Sequence, residues 1–126
     1  MTFPSGYKNV FHMTIGNDCC SIGDRVPGVW VINNEVLIAF AIGGNGNFYK
    51  NFAIEKNTWT EIDVSQKQSM DGQYRYTIMI NGEEKFTIVN TDPREFNNVK
   101  LFASDPWFDS FDGKIRMIAV CTKGDC

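Results

Sequence analysis

The stretch "QYRYTIMINGEEKFTIV" (73–89) constrains this chain more than any other. Tyr74, Tyr76, Ile78 and Ile80 alternate with Arg75, Thr77 and Met79, the period-2 pattern of a half-buried strand. Asn81-Gly82 then offers two residues that tolerate positive φ, as a type I′ hairpin turn requires, and "KFTIV" returns. A helix cannot use this order, because it would spread the apolar side chains around its whole circumference.

The remaining chain reads the same way. "NVFHMTI" (9–15) sets Phe11, Met13 and Ile15 on one face and His12 and Thr14 on the other. "GVWVIN" and "EVLIAFAIGG" are apolar on both faces, as strands inside a packed sheet are, and Asn33-Asn34 marks the turn between them. "GGNGN" (43–47) reads as a loop that needs the backbone freedom of glycine and asparagine. "FYKNFAI", "TWTEIDVSQ", "NVKLFAS" and "KIRMIAV" complete the set. About nine to ten short strands at spacings of roughly 8 to 12 residues predict an all-β, two-sheet antiparallel β-sandwich. No repeat or linker divides the 126 residues, so one domain over 1–126 is expected.

Charge and hydropathy exclude whole classes of partner. The net charge is −3 and the twelve Lys and Arg are scattered, which does not suit a phosphate backbone. "EVLIAFAIGG" is far shorter than the ~20 residues of a membrane-spanning helix. "MTFPSGYKN" lacks the apolar core of a secretory signal, so extracellular life implies a mature form or an excised domain. Cysteines stand at 19, 20, 121 and 126, and residues 21–120 contain none. A vicinal pair is a poor zinc motif. Three pairings are open. Bridging Cys19 or Cys20 to Cys121 or Cys126 would close a very long loop, for about 4–5 kcal/mol, and such a bridge is expected if the first and last strands are neighbours. That usage favours an oxidising compartment.

Catalytic signatures are missing. His12 is the sole histidine and sits mid-strand with no nucleophile motif, so it reads as an ordinary half-exposed side chain. No Gly-x-Ser-x-Gly, P-loop or histidine metal motif occurs, and no pair of acids is marked for glycosidase chemistry. An enzyme is not expected.

One corner concentrates unusual chemistry. In "ASDPWFDSFDG" (103–113), Trp107, Phe108 and Phe111 stand among Asp105, Asp109 and Asp112. Pro106 ends the preceding strand. Trp107 then either folds back as a plug or stacks on a sugar ring, with Asp105 and Asp109 accepting hydroxyl hydrogen bonds. A third reading joins Asp105, Asp109 and Asp112 into a calcium site. Arg25 either ion-pairs with Asp24 or reads an anionic ligand. Asn45 and Asn47 either contact a ligand at a loop tip or only solvate it.

Four pieces, "GDRVPGVWV" (23–31), "NTWTEIDVSQ" (57–66), "MINGEEKF" (79–86) and "REFNNVKLFASDPWFDSFDGKIRMI" (94–118), occur in an order that resembles one family. It is the laminin-G-like, concanavalin-like jelly-roll domains of animal extracellular proteins, and within it the subgroup found beside zona pellucida modules in marine invertebrate surface and matrix proteins. The resemblance spans about residues 6–120. It implies a jelly-roll sandwich, secretion, and a non-catalytic role in recognition or adhesion, with calcium common in the wider group. The His-x-Asn-x-Arg motif of galectin-type sandwiches is absent. The expected function is therefore an extracellular, lectin-like module that binds glycan. The alternative is a structural or adhesive module that binds another protein or its own copies as a homo-oligomer.

Overall fold

A computed structural model describes residues 6–121, and among them the chain is all-β, with nine strands and no helix. The strands are β1 (Lys8–Thr14), β2 (Gly28–Ile32), β3 (Glu35–Ile42), β4 (Asn45–Ala53), β5 (Ile62–Gln68), β6 (Tyr74–Ile80), β7 (Glu83–Asn90), β8 (Lys100–Phe102) and β9 (Asp109–Ser110). The larger sheet runs β4-β3-β2-β1-β8, with β9 also pairing to β1. The smaller sheet is β5-β6-β7. The two sheets are consistent with a β-sandwich.

The expected Asn-Gly hairpin is present. Asn81 and Gly82 take φ of 53° and 78°, the left-handed pair that matches the twist of β6 and β7. Alternation then decides the inner face: Tyr76, Ile78 and Ile80 are buried against Val29, Val36, Ile38 and Ile42 of the larger sheet. Phe40 stacks on Tyr76 at 4.7 Å between ring centroids. Burial pushes the Tyr76 hydroxyl well above the ordinary tyrosine range.

A second cluster lies on the other face of the larger sheet, and it explains why β2 and β3 are apolar throughout. Trp30, Leu37 and Ala39 are buried there, with Tyr7, Tyr49 and Phe108 packed against them. The Trp30 ring lies across Gly28, where any Cβ would collide with it. Both faces of the sheet are thus dry, one under the smaller sheet and one under loops.

Two expected elements differ. "GGNGN" is not one loop: Gly43 and Gly44 (φ 57° and 83°) make a tight turn, and β4 begins at Asn45. Two consecutive glycines suffice to reverse the chain, which frees the asparagines for the strand. "KIRMIAV" (114–120) joins neither sheet. Met117 has φ 55°, which breaks the extended alternation, and Arg116 stacks over Trp59 at 3.9 Å instead. The neighbours of β1 are therefore β2, β8 and β9, and the final segment is not among them.

Candidate functional site

The outer face of the larger sheet is roofed by two loops, 15–27 and 103–113, and each is fastened to β1 by buried polar groups. β1 carries Asn9, His12 and Thr14 on that face, all with no solvent exposure. Asn9 donates from Nδ2 to the Val29 carbonyl at 3.2 Å and accepts at Oδ1 from the Asp105 N–H at 2.8 Å. Ser104 N–H donates to the Val10 carbonyl at 3.1 Å. The loop closes on itself where the Ser104 and Ser110 hydroxyls meet at 2.9 Å. The Asn9 side chain thereby extends to Asp105 the pairing that its backbone already makes with β9.

His12 occupies the centre. Its Nε2 donates to the Asp24 carbonyl at 2.7 Å, and its Nδ1 lies 2.6 Å from Asp105 Oδ2. Two acceptors cannot rest at that separation without a proton between them, so the His12–Asp105 contact is a short, buried hydrogen bond. The other Asp105 oxygen accepts the Trp107 and Phe108 N–H groups at 3.1 and 2.9 Å. The imidazole is flanked edge-on by Trp30 at 5.2 Å and Trp107 at 5.5 Å. The expectation of a half-exposed histidine is corrected: the polar face of β1 is its buried face, because a second apolar cluster covers it.

Arg25 fastens the other loop. It is 1 % exposed and lies over the Trp30 ring at 4.6 Å. Nε donates to the Asp18 carbonyl at 2.9 Å, Nη2 to Asp18 Oδ1 at 3.0 Å and Nη1 to Asn47 Oδ1 at 2.7 Å. The ion pair expected with Asp24 is formed with Asp18, because the Asp24 carboxylate accepts the Ser21 N–H at 2.9 Å and closes its own turn. Gly46 completes the clamp. A Cβ there would come within 2.5–2.7 Å of backbone atoms of Cys20, Ser21 and Ile22, so the loop rests directly on β4.

These placements sort the sequence candidates. Trp107 is 41 % exposed, with its edge against Phe102 at 5.7 Å. Asp109 is exposed. Asp105 is buried and fully engaged, so it is not a surface acceptor, and Arg25 is likewise inside. Asn45 is exposed, whereas Asn47 points inward at 9 % exposure. Asp105, Asp109 and Asp112 are not brought together. Among the described residues, the group of three with metal-ligating atoms close together is His12, Asp18 and Asp105. Its carboxylates are already engaged, Asp18 by the Arg25 guanidinium and Asp105 by its hydrogen bond with His12.

Cys19 and Cys20 are bridged to each other, which belongs to one of the three pairings the sequence leaves open. Cys121 is also disulfide-bonded, and Cys126 lies outside the described residues. Sequence reasoning missed Asn9, His12 and Asp18. The available signal was the two-sided apolar character of β2 and β3, which requires something to cover the face that His12 shares.

No family model, curated protein or solved structure matches this chain.

Proposed function

We propose that the chain is a non-catalytic extracellular recognition module, of laminin-G-like or concanavalin-like jelly-roll type, that binds glycan through Trp107. One observation carries the reading. Trp107 is 41 % exposed, yet its backbone is held by Asp105, which is itself anchored to a fully buried histidine. An exposed indole on a rigid mount presents apolar area without an ordering cost on binding. Its ring stacks on the C–H face of a sugar, its N–H reaches a hydroxyl, and Asp109 stands at the rim as an acceptor. Calcium is not required for this contact.

A broad glycan array, probed with and without EDTA, tests it. Binding that survives EDTA and falls about tenfold or more in Trp107→Ala, with Trp107→Phe intermediate, is the expected result. Loss with EDTA would transfer the role to a cation. Silence in both conditions, with control lectins positive, would sink the glycan reading.

A second reading rests on the exposed apolar side chains of the last segment. Met117, Ile118 and Val120 are 92 %, 47 % and 50 % exposed, which fits an adhesive module that binds a protein or its own copies. Light scattering after size exclusion decides it: a monomer at all concentrations argues against self-association.

A further inference from the structure

The smaller sheet stops short of the larger one on one side. Phe40 of β3 stacks on Tyr76 of β6 at 4.7 Å, and Phe48 of β4 lies 5.7 Å from Phe86 of β7. β5, the remaining strand of that sheet, therefore faces β2, and β1 and β8 lie beyond it. The side chains agree. Phe11 of β1 packs against the core, but Met13 on the same face pairs with Leu101 of β8, which is 45 % exposed. Along β5, Ile62, Val64 and Gln66 are half-buried, although their partners Ile80, Ile78 and Tyr76 are buried. Among the described residues β5 pairs with β6 alone, so its other edge has no strand beside it.

We infer that residues 114–120 are a strap that closes along this edge as a fourth strand, parallel to β5, and that the structure shows it open. The inference stands apart from both functional readings. Its consequence is control of the edge: an uncovered strand edge is a template for pairing with other chains, and closing the strap removes it.

Position, pattern and backbone all point to this occupant. Arg116 lies over the Trp59 ring at 3.9 Å, just before β5 begins, which parks the segment at the entrance to the edge. Ile115 is half-buried while Lys114 and Arg116 are exposed. With the backbone extended, Ile115, Met117 and Ala119 share the inner side, and Lys114 and Arg116 the outer. β5 has the matching arrangement, with Ile62 and Val64 inside and Glu61 and Asp63 exposed. Setting Lys114 beside Glu61 brings Arg116 beside Asp63 and Met117 beside Val64, opposite charges outside and apolar contacts inside. Met117 itself is 92 % exposed with φ 55°, a left-handed conformation unfavourable for a side chain with Cβ. Extension relieves it and carries Met117 toward the Met13–Leu101 strip. Because the segment is tethered beside the edge, its effective concentration there exceeds that of a second copy.

Met117 is the hinge, and its exposure lets it be changed without touching the core. Met117→Val disfavours positive φ and favours a strand, whereas Met117→Gly removes the penalty of the open position. Hydrogen exchange at the β5 amides that do not bond β6 is expected to be slower in the valine variant than in the glycine variant by about fivefold or more, at every protein concentration. Nuclear Overhauser contacts are expected to join Ile115 and Met117 to Ile62 and Val64 within one chain. Equal exchange in the two variants, or absence of those contacts in Met117→Val, would overturn the strap. Contacts found only between differently labelled chains would also overturn it and assign the edge to a second copy.

Discussion

His12 Nδ1 and Asp105 Oδ2 meet at 2.6 Å across 93 residues of chain, with both side chains fully buried. The contact ties the middle of β1 to the loop that presents Trp107. Asp105→Ala removes one member of a buried hydrogen-bonded pair and also strips the Trp107 and Phe108 N–H groups of their acceptor. Such a deletion is expected to cost about 1–3 kcal/mol for each buried polar group it leaves unsatisfied, read by urea unfolding, with loss of the near-ultraviolet signal from the corner. Asp105→Asn keeps an acceptor for the turn and should cost less. A loss below about 1 kcal/mol in Asp105→Ala would mean that the pair does not hold the loop.

Gly28 makes the space in which Trp30 lies. A Cβ at 28 meets the far edge of an indole with no solvent exposure, so neither group can retreat. Gly28→Ala is expected to destabilise by about 1–3 kcal/mol through overpacking and to change the Trp30 fluorescence. Gly16→Ala is the control, since a Cβ there has nothing within 4 Å. Equal stability of the two variants would show that the sheet yields around Trp30.

Strand pattern was legible where one rule sufficed. Alternation in β6 and the Asn81-Gly82 turn are local properties, and local chemistry specifies them. The site was not local. His12 alternates with apolar neighbours as a solvent-facing residue would, and the 15–27 and 103–113 loops, the second far along the chain, turn that face inward. Arg25 likewise stands next to Asp24 in sequence but pairs with Asp18, because the turn closed by Asp24 and Ser21 aims the guanidinium back along its own loop. "KIRMIAV" has the composition of a strand, but strand formation needs a partner edge, and in the fold Met117 breaks the alternation while Arg116 is held on Trp59.

Acid should weaken the β5–β6 turn in a defined direction. The Asp71 carboxylate accepts the Gln73 N–H at 2.9 Å and the Ser69 hydroxyl at 2.8 Å. The Gln73 hydrogen bond first, then that from Ser69, holds its pKa below the ordinary 3.8. The folded chain then binds fewer protons than the unfolded one in this window, so the contribution is full above about pH 4. It disappears as pH falls through the folded-state value. The stability gap between wild type and Asp71→Ala is expected to be open at neutral pH and to close in strong acid. Urea unfolding at both pH values measures it, and a gap independent of pH would refute the assignment.

Arg25 shows why a charge alone does not hold the 15–27 loop. Its three nitrogens point in fixed directions at the Asp18 carbonyl, the Asp18 carboxylate and the Asn47 amide oxygen. Lysine keeps the charge but concentrates its donors on one atom, which cannot span that set. Arg25→Lys therefore loses one or two charge-assisted bonds in a buried place, at about 1.5–3 kcal/mol each. Because Asn47 loses its anchor as well, hydrogen exchange at the Asn45–Asn47 amides should rise together with exchange at Cys20 and Ser21. Exchange that rises in the loop but not in β4 would show that the two are fastened by the Gly46 contact alone. A variant as stable as wild type would show that the fork is dispensable.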